Sequence, residues 1–218
     1  MNTSDRINEI YKLLYKEYGS QGWWPGESQL ECILGAILTQ NTSWSNVEKA
    51  IDNLKSYNLI SIEQLKLITT DELAKLIRSS GYYNQKALVI NNFINFVSET
   101  YHGDLEEMFQ DETAELRNKL LKIKGIGPET ADCILLYGGN KPVFVIDSYT
   151  YRILSRHRIV PDQTSYIEMQ EMITDSLKED PELYNEYHAL IVKVGKEHCK
   201  KNHPICTGCP LENDPHTV

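Results

Sequence analysis

Long hydrophobic runs are missing from this 218-residue chain. Its most apolar stretch, residues 33–38, is far shorter than the ~20 residues that a membrane-spanning helix needs. Residues 1–18 lack the basic segment and apolar core of a secretory signal. These absences argue against an integral membrane protein or a secreted one. They predict a soluble protein of the cytoplasm.

Positive charge is also scarce, because 22 Lys and Arg residues face 31 Asp and Glu residues, for a net charge of −9. Proteins that bind nucleic acid usually neutralise phosphates with Lys and Arg, so this balance argues against such binding. Two arrangements would still allow it. Basic side chains can gather on one face of an acidic body, or backbone N–H groups can hold the phosphates.

The five cysteines fall into two groups. Cys32 and Cys133 lie within apolar helical patterns, which predicts two small buried side chains. Cys199, Cys206 and Cys209 are crowded near the end of the chain. Such a cluster, in a chain without a secretion signal, indicates metal binding rather than a disulfide framework.

Apolar residues recur at helical spacing along nearly the whole chain, as in Ile7, Ile10 and Leu14. Ser45 and Glu48 have the spacing of a capping box at the start of one such segment. The only strand-like run, 143–146, is brief and isolated. The pattern predicts an all-α fold of about ten helices with tight connections.

Residues 112–137 have the pattern of two helices joined by a sharp turn. Gly125 and Gly127 permit the turn, and Pro128 suits the first position of the second helix. N–H groups of the turn and of the helix start would then form an anion site, flanked by Lys122 and Lys124. The alternative is an ordinary helix pair with a glycine turn.

Asp147 follows the apolar run 143–146 and precedes the next helical segment. The simpler interpretation makes it a helix N-cap. A carboxylate fixed there can also face a cleft, where it would stabilise a developing positive charge or orient a water molecule. The two roles are compatible.

These segments together resemble the helix-hairpin-helix, Gly/Pro–Asp superfamily of DNA glycosylases, and most of all its endonuclease III family. The hairpin and aspartate stand as LKIKGIGPETADCILLYGGNKPVFVIDSYTYR, in order with LGAILTQNTSW at 34–44, SGYYNQKA at 80–87 and the cysteine tail. The resemblance covers about 22–209. It implies a six-helix barrel lobe at 22–137, and a second helical lobe of 1–21 plus 138–218 that ends in the cysteine-rich loop.

The resemblance also implies roles for individual residues on double-stranded DNA with a flipped, damaged base. Asp147 matches the catalytic aspartate, and Lys124, Gly125 and Gly127 belong to the DNA-binding hairpin. Gln40 matches a residue that fills the vacated stack, and Tyr82 matches a wedge. Without these roles, Gln40 would be a surface amide and Tyr82 an aromatic packed on the core. The family implies a monomer.

One departure from the family bears on mechanism. Bifunctional members carry a lysine before the Thr-Ala of the hairpin helix, and its amine forms a Schiff base and cleaves the strand. This chain has Glu129 there, which cannot form an imine. The departure predicts a monofunctional glycosylase that uses water as the nucleophile and leaves an abasic site.

The segments WWP, LTQNTSW and GIGPETA look most like the 3-methyladenine glycosylases of this family. The resemblance implies a base pocket of Trp24, Trp44 and Glu129 for an alkylated purine. Core packing is the alternative for Trp44 and for one of Trp23 and Trp24. Other functions left open are mismatch thymine or uracil excision, a DNA-binding module without turnover, and a lyase that uses another lysine.

The family's [4Fe–4S] loop spaces its cysteines as C-x6-C-x2-C-x5-C. Cys199, Cys206 and Cys209 match three of these ligands, but the fourth position is Pro215 and His216 comes one residue late. Three interpretations follow: a cluster with a non-cysteine fourth ligand, a three-iron or zinc site, or a loop that holds no metal.

Overall fold

The computed structural model describes residues 2–23 and 26–217, and within them it consists of α-helices and connecting turns, with no β-strand. This confirms the predicted all-α fold. The helices are α1 (Thr3–Tyr18), α2 (Gln29–Leu38), α3 (Trp44–Ser56), α4 (Ile62–Leu67), α5 (Thr70–Leu76), α6 (Tyr83–Thr100), α7 (Leu105–Gln110), α8 (Thr113–Leu121), α9 (Pro128–Cys133), α10 (Ser148–Arg156), α11 (Tyr166–Thr174) and α12 (Pro181–Glu197). None of these described helices is both long and apolar enough to cross a bilayer.

The chain divides into two compact units. The hairpin unit is Trp24–Lys141 and carries α2 to α9. The terminal unit joins Met1–Trp23 to Pro142–Val218 and carries α1 and α10 to α12. The lobes predicted from the resemblance divide the chain at 22 and 137 instead.

The hairpin unit is built around α2, whose residues are almost all buried. Ile33, Leu34 and Ile37 are fully buried there, and α2 packs against α3, α6 and a π-helical turn at Ile134–Gly138. Gly139 follows that turn at a place where a Cβ would overlap the ring of Phe109. The hairpin helix is therefore buried at its carboxyl end and free to present its first turn outward.

The terminal unit has its core between α1 and α12. The apolar stripe of α1 is buried, as its spacing predicts, and the buried Tyr187 of α12 donates a hydrogen bond of 2.8 Å to the carbonyl of Ile7. The α10 helix packs on the same helix α12, and Gly195 lies where a Cβ would overlap the ring of Tyr149. This close approach brings the start of α10 next to α12.

Four local expectations are corrected or refined. The strand-like run 143–146 is buried but forms no strand, because no described segment pairs with it. Ser43 rather than Ser45 precedes α3, and Ser45 already lies inside the helix, so the predicted capping box is wrong.

Cys32 is buried as predicted, whereas Cys133 is only partly buried. The short helix α7 was not predicted, since only Met108 of its six residues is buried.

Candidate active site

The turn between α8 and α9 has the geometry that its glycines predict. Gly125 has a φ of +99°, and a Cβ there would collide with Val89, so glycine is required. The carbonyl of Lys124 accepts a hydrogen bond of 3.1 Å from the amide of Asn92. Gly127 is the N-cap of α9 and Pro128 its first residue, with no side-chain cap among the described residues. The first N–H groups of α9 are therefore directed away from the helix, as an anion site requires.

A partly buried ion pair joins the two helices of the hairpin. The guanidinium of Arg117 in α8 donates hydrogen bonds of 2.6 and 3.0 Å to the two carboxylate oxygens of Asp132 in α9. Asp132 is fully buried, and the two parallel contacts fix the relative orientation of the helices.

Gln40 is bound to the hairpin rather than being a loose surface amide. Its Nε2 donates to the hydroxyl of Thr130 at 2.8 Å and to the carbonyl of Gly125 at 3.3 Å. Tyr82 is 68% exposed, in a left-handed conformation before α6, so it is not packed on the core. Gln40 and Tyr82 line one cavity of about 190 Å³ with Lys86. The structure thus brings together the two residues matched to the DNA stack, although their roles stay predictions.

Lys86 was missed by the sequence analysis. It is 2% exposed, and its Nζ donates to the carbonyls of Leu38 at 2.8 Å and Ser80 at 2.6 Å. Burial lowers the pKa of this amine to about 8. A lysine is rarely fully buried, and its place on the apolar stripe of α6 is the one signal that could have revealed it.

Asp147 is the N-cap of α10, as predicted. Its Oδ1 accepts hydrogen bonds from the backbone N–H of Thr150 at 2.7 Å and from its hydroxyl at 2.9 Å. Its Oδ2 lies 3.6 Å from Nε2 of His188. Burial raises the pKa of the Asp147 carboxyl, but His188 and the two Thr150 contacts outweigh it, so the pKa is below its usual value. The carboxylate is therefore held ionised in a largely buried position.

His188 was also missed by the sequence analysis. It is 4% exposed and lies on the buried face of α12, near Tyr184 and Tyr187 in sequence. The ring of Trp23 stacks on its imidazole, with ring centres 5.6 Å apart and an interplanar angle of 14°. A histidine on an apolar helical stripe reads as a core residue, and nothing in the sequence pairs it with Asp147.

The predicted base-pocket residues are less well defined. Glu129 is exposed in the first turn of α9, and Trp44 is half-buried at the first residue of α3. Trp24 lies outside the described residues. These three side chains are not shown together, and the pocket stays a prediction.

The cysteine tail can be tested against the family's iron–sulfur cluster. Cys199, Cys206, Cys209 and His216 line one cavity of about 20 Å³, which has room for little more than a water molecule. Arg156 donates to the sulfur of Cys199 at 3.3 Å, and His216 Nδ1 lies 2.8 Å from the carbonyl of Asp214. In the range 2–23 and 26–217, no three His, Cys, Asp or Glu side chains are arranged to hold a metal ion.

The donor set therefore does not fit a four-ligand cubane in this arrangement. The tail is instead held by Asp214, whose carboxylate lies 2.6 Å from a guanidinium nitrogen of Arg6 and 2.7 Å from Nδ1 of His157. Bound metal stays a prediction, which iron and zinc analysis of the purified protein tests.

The model of the HhH-GPD superfamily of base excision DNA repair proteins matches residues 34–179. A protein of Methanocaldococcus jannaschii that is named as a DNA repair glycosylase is 46% identical over 97% of this chain and 96% of its own length.

Two solved structures are similar over nearly the whole chain. The H. pylori 3-methyladenine DNA glycosylase bound to 1,N6-ethenoadenine is 29% identical, with a TM-score of 0.77, and covers 90% of this chain and 98% of its own. A non-covalent endonuclease III–DNA complex is 21% identical, with a TM-score of 0.83, over 99% and 96% of the two chains. The second likeness shows the fold alone.

Proposed function

Because the chain belongs to the HhH-GPD superfamily of base excision DNA repair proteins and is a DNA repair glycosylase, we propose that it hydrolyses the N-glycosidic bond of an alkylated purine without cutting the strand. The observation that carries the chemistry is the largely buried, ionised carboxylate of Asp147, fixed at the start of α10 by Thr150. Glycosidic cleavage builds positive charge on the sugar, and a preorganised anion stabilises that charge.

The residues of the hairpin support hydrolysis rather than strand cleavage. Glu129 occupies the position of the lysine that bifunctional relatives use, and a carboxylate cannot form an imine. Lys86, a second candidate amine, is buried and donates to two backbone carbonyls. A water molecule oriented by Asp147 is then the nucleophile, and the product is an abasic site.

The substrate class is supported by the 29% identity to a 3-methyladenine glycosylase that was solved with an ethenoadenine. A methylated adenine ring carries positive charge, so it is a good leaving group that needs little acid catalysis. An indole face such as that of Trp44 attracts such a ring by about 0.5–2 kcal/mol. The carboxylate of Glu129 would add attraction for the same charge.

The test is to incubate the purified protein with methylated genomic DNA and to separate the released bases by chromatography. We expect release of 3-methyladenine, with the rate lowered about 100- to 1000-fold in Asp147→Asn. Asp147→Asn keeps the size of the side chain and an oxygen that can cap α10, so a loss of activity would report on the lost negative charge. No release by the wild type would refute the substrate class, and the assay then moves to uracil and T·G duplexes.

Strand cleavage is tested separately, by borohydride trapping. The substrate is a duplex that carries, still attached, the damaged base that the first assay finds to be excised. We expect no covalent adduct and an intact strand that breaks only after alkali. A trapped adduct that persists in Lys86→Met would show a lyase that uses a different lysine, and would overturn the monofunctional assignment. Release of no base, with retained duplex affinity, would instead favour a binding module.

A further inference from the structure

The two carboxylate oxygens of Asp147 have different surroundings. Oδ1 accepts both hydrogen bonds from Thr150, at 2.7 and 2.9 Å, and so is committed to capping α10. Oδ2 lies 3.6 Å from Nε2 of His188, which comes from a different helix, α12. Capping therefore explains the position of one oxygen and leaves the other to be explained by His188.

His188 is itself held in a fixed orientation. The side chain of His188 is 5% exposed, and the ring of Trp23 stacks on it nearly in parallel. Stacking fixes the plane of the imidazole, and so fixes the direction in which Nε2 faces the carboxylate. Inside the terminal unit, Trp23 thus stacks on the imidazole of His188, and Nε2 of that imidazole faces the carboxylate of Asp147.

We propose that His188, backed by Trp23, is a positioning residue that holds the Oδ2 atom of Asp147 in place for the reaction. The inference rests on the proposed function, since it assigns to Asp147 the charge that stabilises the sugar. His188 touches Asp147 and acts through it. It is not assigned a contact with substrate.

The charge balance at Asp147 gives this role a measurable consequence. Within residues 2–23 and 26–217, the side chains that act on the Asp147 carboxylate are those of His188 from α12 and Thr150 from α10. Trp23, from the segment after α1, stacks on His188 and carries no charge. Burial raises the pKa of the Asp147 carboxyl, and the contact with His188 lowers it. Loss of His188 therefore leaves the effect of burial less well balanced. Asp147 would then become protonated at higher pH than in the wild type.

The test uses a probe that does not depend on the identity of the damaged base. A duplex with a cationic pyrrolidine in place of one nucleotide mimics the charged sugar, and a duplex with neutral tetrahydrofuran is its matched control. The ratio of the two affinities is measured against pH. We expect the wild type to prefer the cationic duplex, and Asp147→Asn to lose that preference.

In His188→Leu we expect the preference to disappear at a pH about one unit higher than in the wild type. His188→Gln keeps a neutral donor, so it is expected to retain the preference at neutral pH with an intermediate shift. Tyr184→Phe, also in α12 and buried, is the control for helix packing and is expected to match the wild type. Thermal unfolding verifies that each variant is folded.

Unchanged pH dependence in both His188 variants would overturn the inference, and so would a wild type without preference for the cation. A His188-dependent preference in a protein that releases no methylated purine would refute the substrate class and leave the role of His188 supported. A shift in Tyr184→Phe equal to that in His188→Leu would show a packing effect and refute the positioning role.

Discussion

Gly125 and Gly127 are separated by one residue, but they differ in what a side chain would meet. At Gly125 the positive φ and the neighbouring Val89 both oppose a Cβ, whereas at Gly127 φ is −96° and nothing lies within 4 Å. We expect Gly125→Ala to lower the free energy of unfolding by about 1–2 kcal/mol or more. We expect Gly127→Ala to change it by less than about 0.5 kcal/mol.

Duplex affinity distinguishes a role of these glycines in folding from a role in binding DNA. If the backbone at Gly127 approaches a phosphate closely, the alanine variant should bind duplex DNA more weakly while unfolding like the wild type. Denaturant unfolding and fluorescence anisotropy measure the two quantities. Equal stability of both variants would contradict the close approach to Val89.

Lys86 provides a pH test of burial. Its pKa is about 8 in the folded protein and 10.5 as a free side chain, so between those values the unfolded chain binds more protons. The stability contributed by neutral Lys86 is fully present above pH 10.5 and is lost as pH falls through about 8. Relative to that of Lys86→Met, the free energy of unfolding of the wild type should therefore rise by up to about 3 kcal/mol as the pH rises from about 8 to 10.5. A difference that does not vary with pH would show that the amine keeps its ordinary pKa.

At the scale of elements, the ion pair of Arg117 with Asp132 joins α8 to α9. Arg117→Met leaves a fully buried carboxylate without its guanidinium, which costs about 3–5 kcal/mol. Lys178→Met removes an exposed pair with Asp180 and should cost less than about 1 kcal/mol. Urea unfolding of both variants measures the contrast. A small loss in Arg117→Met would mean that helix packing alone holds the hairpin.

The helices themselves were predictable because apolar residues recur at helical spacing along their buried faces. The hairpin turn was predictable because Gly125 readily adopts the positive φ that the turn needs, whereas Pro128 fixes its own φ near the helical value. The π-helical turn at Ile134–Gly138 was not, since its residues suit an ordinary helix equally well. The choice of Ser43 over Ser45 as the residue before α3 depends on backbone geometry that both serines could serve.

The candidate site was predictable only where one segment carries the signal. Asp147 follows an apolar run and starts a helix, so its capping role could be inferred locally. His188 comes from a helix about 40 residues away, and only tertiary packing brings it to Asp147. The contacts of Gln40 with Thr130 and Gly125 are likewise long-range. Pairing of distant side chains is the information that a single sequence does not contain.

For the whole molecule, the net charge of −9 has to be reconciled with a DNA substrate. Many basic side chains are already engaged within the protein, as Arg6, Arg117 and Lys119 are in ion pairs. Lys122 and Lys124 flank the hairpin turn and are exposed. Backbone N–H groups at the turn carry no charge that salt can screen. A DNA contact built in this way should involve few released counterions.

The salt dependence of duplex affinity tests that account. Each phosphate neutralised by a lysine contributes about 0.9 to the slope of log K against log salt. We therefore expect Lys122→Gln and Lys124→Gln each to reduce the slope by about 1 and to weaken binding to all sequences alike. Lys178→Gln, an exposed lysine of the terminal unit, is the matched control and should leave the slope unchanged. If the hairpin variants keep the wild-type slope, neither Lys122 nor Lys124 neutralises a phosphate.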